Sequence, residues 1–167
     1  MVINISEILK QNGASLCFNI EKNILNTNSF RGINKFLSPV KVEGTVTNLD
    51  GVFNVLADGS AEVESACDRC LKPVSFKLDF KINENFSNTG KEKEAETFSG
   101  DIIDLEDVVS RGILTSLPMK VVCSEDCKGL CPICGKDLND GVCECRTDYI
   151  DPRFESLRSL FKLDEEV

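Results

Sequence analysis

Val74-Ser75-Phe76-Lys77-Leu78-Asp79-Phe80-Lys81-Ile82 is the stretch from which the fold can be read. Apolar residues alternate with Ser75, Lys77, Asp79 and Lys81, so one face of an extended chain is core and the other is wet. That period of two is the mark of a half-buried strand. Working outward, it recurs back to residue 39. Val40, Val42 and Val46 begin one strand, Asn48-Leu49-Asp50-Gly51 supplies a tight hairpin turn, and a second strand runs from Val52 to Ala66. Gly51 suits the positive φ of such a turn, while Gly59, in mid-strand, is expected to mark a bulge or bend. Residues 39–86 therefore read as an antiparallel meander.

Upstream, Val2, Ile3 and Ile5 suggest a short strand, Ser6 the N-cap of a helical turn or two, Gly13 its stop, and Ser15 to Ile20 another strand. Cys17 in that strand has no cysteine neighbour and reads as a small buried hydrophobe. Downstream, the acidic stretch 87–102 reads as a flexible linker. A helix follows, with Asp104 as N-cap and Leu105, Val108, Val109, Ile113 and Leu117 on one face, ended by Pro118. Asp151-Pro152 starts a last helix carrying Phe154, Leu157, Leu160 and Phe161, either a core helix or a docking face. The expected class is α+β: an antiparallel β-meander sheet packed by one or two helices, with a small zinc-knuckle segment near the C-terminus. The expected division is an α+β domain over 1–118, a cysteine-rich zinc-binding segment over 119–150 and a C-terminal helix over 151–167.

The chemistry lies in the cysteines. Val122 to Cys145 reads VCSEDCKGLCPICGKDLNDGVCEC and holds Cys123, Cys127, Cys131, Cys134, Cys143 and Cys145, six of the chain's nine. Two thiolates two residues apart on a turn can share one tetrahedral ion. In Cys131-Pro132-Ile133-Cys134-Gly135 the proline pre-sets the turn and Gly135 can take the positive φ that follows the second ligand. Cys67-Asp68-Arg69-Cys70 places a second such pair at the tip between two strands. A redox pair would share this spacing but would open a helix, whereas Leu71-Lys72-Pro73 leads into a strand, which favours metal. The simplest assignment gives Cys131, Cys134, Cys143 and Cys145 one zinc, and joins Cys67 and Cys70 to Cys123 and Cys127 at another. Alternatively, Cys127 joins the local cluster and leaves Cys67 and Cys70 a partial or empty site. Sites closed by four sulfurs have no open position and are structural.

Length and composition fit one ordinary core, or a main domain with a small metal-held one. The chain lacks any apolar run long enough to span a membrane. Its start, MVINISEILKQNG, has neither a basic lead nor an apolar run, so a signal peptide is not expected and a cytoplasmic location is. In that compartment many cysteines point to metal rather than to disulfides. There is no histidine, which excludes a histidine-based triad or metal ligand. The net charge is −9, and two zinc-tetrathiolate sites, each formally about −2, would make it more negative still. So acidic a chain does not bind nucleic acid through its overall field. Residues 22–41 stand apart, with Lys22, Arg31, Lys35 and Lys41 and no acidic residue. With Phe30 and Phe36 they suit phosphate contact and base stacking, or form a solvated loop whose phenylalanines pack inward.

Cys67-Asp68-Arg69-Cys70-Leu71, Leu117-Pro118, the run from Cys123 to Gly135, and Asp151-Pro152-Arg153-Phe154 together resemble the bacterial YceD family. That family comprises large ribosomal RNA subunit accumulation proteins. The resemblance covers most of the chain. It implies a role in the accumulation or maturation of large-subunit ribosomal RNA, does not imply an enzymatic reaction, and carries over only the cysteines as metal ligands. The reading that follows is a non-enzymatic factor with one or two structural zinc ions. Its partner would be a ribosomal protein, the ribosomal RNA or a large-subunit precursor, not a membrane or a small-molecule substrate. A thiol/zinc redox-sensing regulator is the alternative. A hydrolase is disfavoured by the missing histidine and the closed sulfur sites.

Overall fold

The computed structural model describes residues 1–24, 27, 29–88 and 95–145. Its elements are β1 (Val2–Asn4), β2 (Ser15–Lys22), β3 (Lys35–Phe36), β4 (Val40–Leu49), β5 (Val52–Ala66), β6 (Pro73–Ser87), β7 (Ala95–Thr97), β8 (Ile102–Asp104) and α1 (Glu106–Ser116). The alternation around Leu78 and Phe80 becomes β6, which pairs with β5 without a break from Val52↔Ser87 to Ala66↔Pro73. β4 and β5 meet through Asp50 and Gly51, whose φ values of 56° and 89° give the twist a two-residue hairpin needs. Asn48 fixes that turn from inside. It is 3% exposed, accepts the Gly51 N–H at 2.9 Å, and donates to the carbonyl oxygens of Ile8 and Leu9 at 2.8 and 3.2 Å. One buried amide thus ties the N-terminal turn to the hairpin.

The main sheet runs β2-β4-β5-β6-β7, with β3 pairing β5 beyond the end of β4. Its strands are antiparallel up to β6, but β7 lies parallel to β6. The sheet is therefore mixed, and the antiparallel meander holds only for its centre. β1 and β8 form a separate two-stranded ladder. The supposed linker 87–102 is partly strand, because Phe98 is buried and meets Phe53 edge to face at 5.4 Å, which anchors the chain between β7 and β8. Composition alone does not register one such anchor.

α1 packs on β6, and the contact explains Gly59. The β5–β6 register passes through Gly59↔Phe80 unbroken, so there is no bulge. A Cβ at Gly59 would enter the Phe80 ring, and one at Gly112 of α1 would come within 2.9 Å of it. The ring fills the slot that two glycines leave between sheet and helix. Val108, Val109 and Ile113 of α1 and Leu105 before it are buried, as their spacing predicts. Leu105, not Asp104, is the N-cap, yet the Asp104 carboxylate accepts the Glu106 N–H at 3.0 Å from one residue further out. At the first turn it is likewise Asn4, not Ser6, whose side chain accepts the free N–H, that of Ser6 itself, at 2.9 Å. Cys17 is exposed, because Leu16, Phe18 and Ile20 take the core face of β2 and leave it on the wet one. Among the described residues no helix is long and apolar enough to cross a membrane. The helix expected from Asp151 through Phe161 lies outside the described residues.

Candidate metal centres

β5 and β6 are long enough to carry their connecting turn to the far end of the sheet, and that turn is Cys67 to Lys72. The Cys67 N–H donates to the Lys72 carbonyl at 2.8 Å and the Leu71 N–H to the Cys67 carbonyl at 2.9 Å. Cys131 repeats the pattern: its N–H donates to the Lys136 carbonyl at 2.8 Å, and the Gly135 N–H returns to the Cys131 carbonyl at 2.9 Å. The residue after the second cysteine has positive φ in both turns, 62° at Leu71 and 72° at Gly135. The two are copies of one knuckle, in which N–H groups point at the first sulfur.

Side chains and backbone then join the tip to the segment after α1. The Asp68 N–H donates to the Val121 carbonyl at 2.8 Å, and its carboxylate accepts the Val121 N–H at 2.7 Å. Arg69 Nη1 donates to the carbonyls of Glu125 and Cys127 at 3.1 and 2.7 Å. Gly129, at φ 76°, lies so close to the Arg69 carbonyl that a Cβ would crowd it at 2.9 Å. Lys72 Nζ reaches Asp137 at 2.7 Å and Asp140 at 3.5 Å.

These ties gather the cysteines into two quartets. Cys67, Cys70, Cys123 and Cys127 form an inner one and Cys131, Cys134, Cys143 and Cys145 an outer one, and within each quartet all sulfurs lie within 4.8 Å of one another. In the inner quartet Cys67 and Cys127 are 3.9 Å apart and Cys70 and Cys123 3.5 Å. A zinc tetrathiolate with bonds of about 2.3 Å has edges of about 3.8 Å, so these spacings suit one tetrahedral ion. Cys127 belongs with Cys67 and Cys70, not with the local cluster. The inner quartet is walled in by Val74, Val122 and Leu130, and only Cys123 is exposed. In the outer quartet only Cys131 is buried.

The sulfurs of each quartet differ in acidity. Burial pushes the Cys67 thiol up, but N–H groups of Cys70, Arg69 and Cys123 outweigh it and bring it down to about 6. Cys127 is lowered against the same burial by the Asn139 amide and the Gly129 N–H. Cys123 is pushed up to about 12, first by the Cys70 and Cys127 sulfurs and then by burial. In the outer quartet the Cys134 and Ile133 N–H groups bring Cys131 to about 6, while Cys134 and then burial push Cys145 up to about 12. Each quartet readily holds some thiolates and resists more, and a divalent cation removes that resistance.

The basic residues are not gathered in this way. Lys22 is paired with Glu106 at 2.7 Å and Lys41 with Glu21 at 2.9 Å. Lys35 stands opposite Glu64 in the β3–β5 ladder, and Arg31 is exposed in a turn. Phe30 is buried and packs edge to face on the half-buried Phe36 at 5.3 Å, so of the two rings it is Phe30 that packs inward. Arg69, Lys72, Asp137 and Asn139, which position the quartets, escape sequence reasoning because their partners are distant or lie across a turn. The one available signal was that Asn139-Asp140-Gly141 reads as a turn.

The family described as "Large ribosomal RNA subunit accumulation protein YceD" matches residues 57–161. An uncharacterized Mycobacterium tuberculosis protein is 30% identical over 129 residues, 69% of this chain and 62% of the relative. The chain thus spans under two thirds of that relative's length. YlbN of Bacillus subtilis, also uncharacterized, is 29% identical over 135 residues, 78% of each chain. No solved structure matches the chain. The family match takes in all eight clustered cysteines, most of β5, and β6, β7, β8 and α1, and the chain belongs to the YceD family.

Proposed function

We propose that each quartet binds one structural zinc ion, and that the protein is a non-enzymatic factor in ribosome biogenesis. It would support accumulation or maturation of large-subunit ribosomal RNA by binding a ribosomal protein or precursor particle in the cytoplasm. The observation that carries the zinc reading is the pair of four-sulfur clusters, each with all its sulfurs within 4.8 Å of one another, the inner one with spacings of 3.9 and 3.5 Å that suit a tetrahedral ion. The family's description supports the ribosomal part. Four sulfurs leave no open position for water or substrate, so the ions hold structure. In this reading 119–150 is the metal-bearing segment carried by the 1–118 domain.

A net charge of −9 suits a basic ribosomal protein as the direct contact. Of the proposed RNA contacts, Arg31 and Lys35 are the better placed, since Lys22 and Lys41 already hold glutamates. The test is sedimentation of a native lysate through a sucrose gradient at low and moderate salt. Co-migration with large-subunit particles, weakened by salt, is expected. Protein found only at the top after crosslinking would overturn the ribosomal reading. Unchanged particle binding after charge reversal at Arg31 and Lys35 would remove the RNA contact.

The exposure of Cys123 and Cys134 favours one second reading, a redox sensor whose thiolates oxidise and release metal. Reversible zinc loss under mild peroxide, with a change in particle binding, is its expected signature.

A further inference from the structure

Asn139 lies in the loop that joins Cys134 to Cys143, but its side chain serves the other quartet. Its Nδ2 is 3.5 Å from Cys127 Sγ, and its Oδ1 accepts the Lys128 N–H at 2.8 Å. The second hydrogen on Nδ2 goes to Asp137 Oδ1 at 2.7 Å, and the Asn139 N–H goes to the same oxygen at 2.9 Å. Asp137 is in turn held by Lys72 at 2.7 Å. The amide is therefore fixed from its own loop and from the β5–β6 tip. It clamps Cys127 and the peptide after it as a backbone group would. An N–H bond to a metal-bound thiolate orients the sulfur and withdraws charge from it, and such outer partners typically change metal affinity by 10–100-fold.

The loop bearing Asn139 has its ends at Cys134 and Cys143, so a cation in the outer quartet would fix both ends. We propose that Asn139 is the positioning residue that couples the two centres: a cation in the outer quartet holds the loop, the loop holds Asn139, and Asn139 tightens the inner quartet around its own cation. By linkage the inner cation tightens the outer one by the same factor. This inference rests on reading both quartets as metal centres.

The test is cadmium NMR of the full chain loaded with cadmium, in which each four-sulfur site gives its own resonance, followed by timed transfer to a chelator. Wild type should show two resonances. Asn139→Ala should shift one of them and make that ion about tenfold easier to extract. Asn139→Asp, which can still accept the Lys128 N–H but cannot donate to sulfur, should do the same. Cys143→Ser with Cys145→Ser should abolish the other resonance and weaken the remaining ion by a similar factor, and adding Asn139→Ala should weaken it no further. Two resonances unaffected by either Asn139 variant, or additive effects, would overturn the coupling alone. A shift with Ala but not with Asp would also overturn it, because the sulfur contact would then not be the link. Wild type that binds no cadmium would overturn the metal reading and the coupling with it.

Discussion

Leu71 and Gly135 occupy the same place in two copies of one turn, and only one of them is a glycine. Leu71 has φ 62° and is 65% exposed, so its side chain gains little from packing while its backbone is held in the left-handed region. That conformation costs roughly 1–2 kcal/mol for a residue with a Cβ, and the greater freedom of an unfolded glycine returns roughly half of it. Leu71→Gly is expected to raise stability by about 0.5–1 kcal/mol, read as a higher urea midpoint at unchanged slope. Gly59 is the opposite case, a glycine that cannot be replaced. Gly59→Ala drives a methyl into the Phe80 ring and is expected to cost about 1–3 kcal/mol by the same assay. Glu106 supplies a pH-dependent contribution. Its carboxyl is held below the usual range, first by the hydrogen bond from Lys22 and then by that charge. A carboxyl depressed in the folded state adds stability above its unfolded pKa of about 4.3, and the gain disappears as pH falls through the lower folded value. Glu106→Gln should therefore lower the urea midpoint at neutral pH, and the gap to the parent should close as the pH drops below about 4.

At the scale of elements, the two knuckles share a backbone but not a setting. The inner one draws on the β5–β6 tip and on the segment after α1 and lies behind Val74, Val122 and Leu130, whereas the outer one is formed entirely between Cys131 and Cys145. A chelator is expected to remove one ion well before the other. Cys134→Ser should lower the zinc content from two per chain to one while leaving the far-UV spectrum of the sheet unchanged. Retention of both ions in that variant would remove Cys134 from the ligand set. These knuckles, like β4, β5, β6 and α1, were legible in the sequence because their signals are local: a period of two, a period near 3.6, and cysteines two residues apart. What was not legible depends on distant partners. The chain pairs β3 and β7 over two or three residues each, too short for any period to show. Gly59 looked like a bulge because its reason, the Phe80 ring, lies on the next strand. Asn48 looked like a turn residue only, although its amide also holds the turn at Ile8 and Leu9.

For the whole molecule, the proposed zinc ions raise the question of which part would depend on them. The core from Ile3 to Ile113 is a continuous apolar cluster that involves none of the eight clustered cysteines. The described residues from 118 to 145 have no such core. They are held to the sheet by the inner quartet, by the polar ties of Asp68, Arg69 and Lys72, and by the small apolar wall around the sulfurs. Structural zinc in small peptides contributes on the order of 10–16 kcal/mol, far more than a few exposed hydrogen bonds and ion pairs. Removing it should therefore release the cysteine segment while the sheet stays folded. Limited trypsin digestion reads this directly. With zinc bound, cleavage after Lys128 and Lys136 should be slow, because both lie in chain pinned between ligands. After chelation both sites should be cut at least tenfold faster, whereas Lys77 and Lys81, within the β5–β6 ladder, should stay protected in either state. Equal cleavage with and without chelator would mean that the polar ties hold the segment by themselves. Loss of protection at Lys77 and Lys81 as well would mean that the sheet does not stand without its metal end.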